Sequence, residues 1–403
     1  MSTPHPARFE PKSADGWRDP FSMYRELRDQ DPAHRVPDNG EGEDYWVLSR
    51  FRDVFDSAVD AETFSSASGL TFGYQEMELL HGRETPIVMM DCGEHTELRK
   101  LSMKRFTPHH VRALEPVVRE FVVGRVERLR EMGEGDVIEQ LFKPLPSLVV
   151  SLSLGVPRED RALFDEWSWA ISAASAAGGF ASASAAVLEM MKYFAELIEK
   201  RRRDPGDDMM SALVHARLAD GQPLSMQKML GMGFTMVTGG NDTVTGLLGG
   251  TAELLTRHPD QRRLLLADPA LLEAAIEEFL RLTSPVQGLA RTTTRDVELY
   301  GKTIPKGRKV LLLYGSANRD EREFGPTASE CDVTRKIRRH VAFSYGPHFC
   351  IGAQAARLQA RIALEELLAR CPDFSVDADR GRFAAGHFVR RYDSLPFRAR
   401  GLA

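Results

Sequence analysis

The sequence predicts a mainly α fold, one large domain with small β-sheets packed at one side. Three observations predict it. Apolar residues recur at helical spacing from about Pro20 to Leu282. After Leu282 the pattern changes to short strand-like runs, broken by turns at Tyr300-Gly301 and Pro305-Lys306-Gly307. A last long run with an apolar stripe, 351–370, is then stopped by Cys371-Pro372.

In chain order, a polar segment 1–19 precedes a domain over 20–403. Asp19-Pro20 opens a short amphipathic helix that ends at Asp31-Pro32. Residues 45–48 read as a strand, and 95–104 as a helix. Thr107-Pro108 supplies an N-cap and a proline at the first helical position, starting one long helix to about residue 132. The apolar run 148–156 is far shorter than the roughly 18–20 residues a membrane helix needs, so it reads as a buried helix. Further helices fit 159–174, 185–203, 225–257, 260–266 and 269–282. Strands fit 297–299 and 309–313, an irregular stretch covers 318–339, and the tail from Phe374 mixes short strands and loops.

With 403 residues, 42% of them hydrophobic, the chain can bury a large core. Its 53 basic and 58 acidic side chains give a net charge of −5, which argues against a nucleic-acid partner. The first 17 residues lack the apolar centre of a secretory signal. A cytoplasmic protein without a membrane anchor is the expectation. The four cysteines, Cys92, Cys331, Cys350 and Cys371, form no CxxC pair and no zinc spacing, so each needs its own explanation.

Cys350 has the most specific context, Phe343-Ser344-Tyr345-Gly346-Pro347-His348-Phe349-Cys350-Ile351-Gly352, just before the last helix. Free N–H groups and partial positive charge at a helix start favour a thiolate. Gly346 and Gly352 permit a tight turn and close approach of a flat ligand. Such a loop suits a sulfur that stays anionic on iron. A lone cysteine is more often a small buried hydrophobe. The fixed offsets of Phe, Gly, His, Cys and Gly turn that balance here.

The run 225–257 is apolar on all sides and should cross the core. It holds seven glycines, each up to about 1 kcal/mol worse than alanine in a helix. Close packing explains Gly246, Gly249 and Gly250. It explains poorly a buried aspartate in Gly239-Gly240-Asn241-Asp242-Thr243, because an unpaired buried charge is costly. Glu278 and Arg281 can pair on one helix face, and His95 and Arg99 lie one helical turn apart. Arg291 follows the turn Thr283-Ser284-Pro285.

Together these segments resemble the cytochrome P-450 family of haem-thiolate monooxygenases, in its soluble bacterial form. The cysteine loop matches the haem signature F-x-x-G-x-H-x-C-x-G, and the motifs stand in the expected order over 20–397. The resemblance implies the cytochrome P-450 fold and haem b as cofactor. It makes Cys350 the axial iron ligand, with Phe343 beside the sulfur and Gly239 and Gly352 bordering the haem. His348, the pair His95 and Arg99, and Arg291 would hold the propionates, and Asp242 with Thr243 would deliver protons. Glu278 and Arg281 match the structural E-x-x-R. Its usual third arginine is missing where the chain reads Ser329-Glu330-Cys331, and Arg335 is the candidate substitute.

By the same resemblance, the substrate pocket takes Thr71, Phe72, Met89, Thr235, Gly239, Val286, Leu289 and Phe388. The implied reaction inserts one atom of O2 into a C–H bond of a hydrophobic small molecule. Electrons would come from a ferredoxin or flavodoxin with an NAD(P)H reductase, since the chain has no flavin or iron–sulfur motif. Lys100, Lys104, Arg105, Arg335, Lys336, Arg338 and Arg339 would form its docking patch. The small-residue stretch 171–186, with Phe180, would be a mobile lid. A peroxide-using peroxygenase and a non-enzymatic haem-binding sensor are the competing readings, and the Asp242-Thr243 pair argues for the dioxygen route.

Overall fold

Helix Met226–Arg257 crosses the middle of the protein, as its all-round apolar surface requires. Ser225 caps it, accepting a hydrogen bond from the Lys228 amide at 3.1 Å. Its glycines let neighbours approach closely. A Cβ at Gly246 would stand 2.8 Å from the Arg390 carbonyl oxygen, and one at Gly250 would stand 2.7 Å from Thr283 Cγ2. This computed structural model describes residues 7–38, 44–74, 85–103, 105–176 and 183–400. Lys104 and the middle of the expected lid, residues 177–182 including Phe180, lie outside the described residues.

The last helix, Ala353–Arg370, buries Leu358, Ile362 and Leu367 and packs on helix Glu115–Met132. Ion pairs line that contact: Arg119 reaches Glu115, Glu365 and Glu366, and Arg361 reaches Glu115 at 2.6 Å. The single long helix expected over 107–132 is instead two, Pro108–Ala113 and Glu115–Met132. Thr107 caps the first as expected, accepting from the His110 amide. Pro116 then has no N–H for the carbonyl four residues back, and the helix breaks before it.

The largest sheet runs Ala33–Val36, Tyr45–Leu48, Lys309–Leu312, Leu289–Thr293, Phe64–Ser65 in spatial order. Tyr45–Leu48 and Lys309–Leu312 pair in parallel, Tyr45 opposite Lys309, and the other pairings are antiparallel. Both parallel strands are buried along their whole length, the pattern of strands covered on two faces. Strand Leu289–Thr293 was not foreseen, and it carries Arg291.

Polar though it reads, the segment before residue 20 is tied into the fold. Trp17 is buried in the main core, and its indole N–H donates to the Gly386 carbonyl at 2.9 Å. Among the described residues no helix is long and apolar enough to cross a membrane.

Candidate functional site

Cys350 sits three residues before helix Ala353–Arg370, in a loop held by backbone geometry. Its amide donates to the Phe343 carbonyl at 2.9 Å, closing the loop on itself. Gly346 has φ +68°, and a Cβ there would stand 2.7 Å from the Ala58 carbonyl oxygen, so only glycine fits. Gly352 is different. Its φ is −84°, and a Cβ would make only ordinary contact with Cys350 Sγ at 3.9 Å. The turn itself therefore does not demand glycine at 352. Open space beside the sulfur is what that residue provides.

Cys350 as a residue is open to solvent, although its thiol is set deep among protein atoms. Burial pushes its thiol above the usual range. The Gly352 N–H and the charges of Arg99 and Arg357 pull the other way without prevailing. The expected pull of the helix start toward a thiolate is present in the Gly352 N–H, and burial opposes it. In the protein by itself burial wins, and a coordinated metal would complete the deprotonation.

Four basic groups converge beside this loop. His95 and His348 stack with ring centroids 4.2 Å apart. Arg99 donates to the Phe349 carbonyl. Arg291 is 3% exposed, and among the described residues its guanidinium donates only to the Ala290 carbonyl, at 2.8 Å. Burial, then Arg291, His95 and Arg99, bring His348 down to about 3. His95 is lowered by burial and then by Arg99. Among the described residues no carboxylate ion-pairs with Arg99 or Arg291. Asp91, the nearest acid, is taken by the Ser66 amide at 2.8 Å and by Ser65. Buried cations without counter-ions call for a bound anion. Two propionates of a flat ligand satisfy that demand, so these residues fit a haem.

The central helix carries the second group of expected site residues. A Cβ at Gly239 would meet nothing within 4 Å, whereas one at Gly240 would stand 2.7 Å from Val150 Cγ2. Gly239 therefore faces open space and Gly240 serves packing. The Thr243 hydroxyl donates to the Gly239 carbonyl at 3.0 Å. Asp242 is not the unpaired charge its sequence setting suggested. Arg391 Nε lies 3.0 Å from its Oδ1, and Arg391 also reaches Asp393 at 3.2 Å. Burial still raises the Asp242 carboxyl, with Arg391 and Lys143 opposing.

The E-x-x-R pair is fully buried. Arg281 donates to Glu278 at 2.7 and 2.8 Å and to the Asn318 and Ala328 carbonyls at 2.7 and 2.5 Å. Arg335 Nε donates to Glu278 at 3.2 Å and is the third member. That removes Arg335 from the expected docking patch. Arg105 pairs with Asp207, and Arg339 pairs with Glu323 at 2.9 Å. Lys100, Lys336 and Arg338 are exposed and make no described ion pair.

Of the expected pocket residues, Phe72 and Phe388 meet with ring centroids 5.4 Å apart, and Tyr45 stacks on Phe72 at 4.9 Å. The Ala290 amide donates to the Leu70 carbonyl at 2.7 Å, which sets Thr71 and Phe72 beside Leu289. Val286 bridges Val389. Thr235 lies one turn before Gly239, and the turn Ile87–Met89 packs on the same helix. Sequence reasoning missed Arg357 and Arg391. Arg357 stacks over the Phe343 ring at 4.8 Å and pairs with Glu277 at 2.6 Å, fastening the cysteine loop to helix Leu272–Thr283.

The sequence profile of the family described as Cytochrome P-450 matches residues 264–381. Cytochrome P-450 130 of Mycobacterium tuberculosis is 56% identical, over 97% of this chain and 97% of its own. The chain belongs to the cytochrome P-450 family. The cytochrome P-450 monooxygenase PikC of Streptomyces venezuelae is 37% identical over 95% of this chain and 91% of its own. The structure of CYP109E1 from Bacillus megaterium in complex with testosterone superposes with a TM-score of 0.83 at 31% identity. That comparison covers 94% of this chain and 99% of the other. Family membership accounts for the mainly helical fold, and it implies a haem cofactor in the cleft of this cytochrome P-450.

Proposed function

We propose that the protein is a cytoplasmic monooxygenase that inserts one atom of O2 into a C–H bond of a hydrophobic small molecule. The observation that carries this reading is the cluster of Cys350 with half-buried Arg99 and buried Arg291, none of them paired with a carboxylate among the described residues. Asp242 and Thr243 on the central helix, beside an open Gly239, are the second group the reading needs. Haem b, held by Cys350 with its propionates at Arg99, His95, Arg291 and His348, supplies the dioxygen chemistry when bound.

The chain's own residues do the rest. Burial shifts the Asp242 carboxyl toward its protonated form, against Arg391 and Lys143, which suits a group that takes up and passes on a proton. Arg391 fixes the orientation of that carboxyl from the tail. The Thr243 hydroxyl, anchored on the Gly239 carbonyl, keeps its lone pairs free to accept a hydrogen bond from solvent or from a protonated carboxyl. The apolar groups Phe72, Val286, Leu289 and Phe388 orient an apolar substrate and exclude water. The testosterone held by the Bacillus megaterium relative supports a rigid polycyclic substrate class. Electrons come from a ferredoxin or flavodoxin and an NAD(P)H reductase, docking on the exposed Lys100, Lys336 and Arg338.

The test is turnover of steroid, terpenoid and macrolide candidates under isotopically labelled dioxygen, with reductase and ferredoxin added or withheld. A product carrying one labelled atom, formed only with ferredoxin present, supports the proposal. Equal turnover with peroxide alone moves the protein to the peroxygenases. Haem binding with no product from any candidate favours a sensor. Arg338→Glu should slow reduction by ferredoxin and flatten its salt dependence.

A further inference from the structure

A second concave site lies between helices Glu115–Met132, Pro144–Leu154 and Arg161–Ala176, and shares no residue with the cysteine cleft. Its volume, about 790 Å³, falls within the range of small-molecule sites, ~300–1,000 Å³. Phe121, Leu148 and Leu152 form an apolar floor. Arg125, Arg128, Arg158 and Arg161 form the rim.

Two features set this groove apart. The first is charge. Most arginines of the neighbouring helix contact are neutralised, as Arg119 and Arg361 show. None of the four rim arginines has an ion pair among the described residues. Arg161 Nε is buried with no hydrogen-bond partner among the described residues. Glu120 and Asp165 also line the groove, yet two positive charges remain in excess, on a chain whose net charge is −5. Asp165 accepts from the Ser147 hydroxyl. Burial, then the charge of Arg128, lower the Arg125 guanidinium against Asp165, and that guanidinium lies over the Phe121 ring at 5.1 Å, where apolar floor and cationic rim meet.

The second feature is Gly124. It lies in the middle of an 18-residue helix, where glycine is about 1 kcal/mol worse than alanine. No neighbour requires it, since a Cβ there would meet nothing within 4 Å. The missing side chain only enlarges the groove, which makes Gly124 part of a cradle.

We propose that this groove binds an amphipathic anion, a single medium-length acyl chain ending in a carboxylate. The chain lies along Phe121, Leu148 and Leu152, and the carboxylate takes the planar forks of the arginine rim. A recessed floor ringed by cations suits one chain with one anionic head. A membrane surface would call for apolar groups that project.

The experiment titrates the haem-loaded protein calorimetrically with dodecanoate below its micelle-forming concentration. The haem absorption band is recorded in parallel, and dodecyltrimethylammonium serves as the charge control. One saturable site for dodecanoate is expected, weakening with salt, with no binding of the cation. Arg125→Glu should weaken it at least tenfold. Gly124→Leu should abolish it while raising the melting temperature, because a better helix former then fills open space. The proposal is overturned by unchanged affinity in both variants, or by heat that follows only the haem band, which puts the anion in the cysteine cleft. Binding to anionic vesicles without binding of free dodecanoate overturns it as well.

Discussion

Replacing Glu278 with glutamine tests how the cysteine loop is held. The Glu278 carboxylate faces three partners, accepting two bonds from Arg281 at 2.7 and 2.8 Å, one from Arg335 at 3.2 Å and one from the Asp332 amide at 3.1 Å. Arg281 is fully buried and the Arg335 side chain is 13% exposed. Glutamine keeps the shape but turns an N–H toward a guanidinium, leaving two cations without a counter-charge. Breaking a buried pair from one side costs about 3–5 kcal/mol. Total stabilities run about 5–15 kcal/mol, so the loss is large. Arg335→Ala removes a partly exposed member and should cost less, about 1.5–3 kcal/mol for hydrogen bonds to a charged group. Urea unfolding of the haem-loaded protein, followed by circular dichroism and by haem absorbance, measures both. Arg281 also binds the Asn318 and Ala328 carbonyls in the stretch that leads to the cysteine loop. Haem release in Glu278→Gln should therefore move to lower urea together with unfolding. A cost below about 1 kcal/mol, or a larger effect from Arg335→Ala, would refute the reasoning.

The remaining predictions concern acid, turnover and the loop. Burial raises the Glu277 carboxyl, but the Arg357 and His340 bonds outweigh it and bring the group to about 2 from its usual 4.5. A folded-state value below the unfolded one stabilises at pH above about 4.5, and that contribution is lost as pH falls toward about 2. Arg357→Met should thus raise the acid-unfolding midpoint, and an unchanged midpoint would contradict this. Asp242→Asn should cut turnover by about 10²-fold or more, the scale of general acid–base catalysis, while leaving the substrate-induced haem shift intact. Full turnover in that variant would remove Asp242 from proton delivery. Gly346→Ala should prevent stable haem incorporation, because its Cβ would collide with the Ala58 carbonyl at a backbone φ of +68°. Normal haem content after purification would show that the loop can yield.

Much of this molecule is legible in its sequence, for local physical reasons. Ser225 and Thr107 announce helix starts because their hydroxyls cap within three residues. The central helix is recognisable because it is apolar all round, and Cys350 because five residues of four types stand at fixed offsets before a helix. What escaped depends on distant contacts. Arg391 meets Asp242 across 149 positions, from just before a tail strand, Tyr392–Ser394, too short to carry a pattern. Strand Leu289–Thr293 follows a turn and has no clear alternation, so only its neighbours Lys309–Leu312 and Phe64–Ser65 define it. The break at Leu114 could have been read from Pro116 itself, where the long helical period outweighed the proline. Arg335 shows the limit of charge reading, since a basic run looks like a solvated patch until one member turns inward.

The account rests on sulfur from Cys350 binding iron as an anion. The most direct measurement is the absorption spectrum of the dithionite-reduced, haem-loaded protein under carbon monoxide. The long-wavelength band specific to a thiolate ligand should appear in the wild-type protein and vanish in Cys350→His. A wild-type spectrum showing only the shorter-wavelength band of a nitrogen-ligated haem would contradict the central assignment.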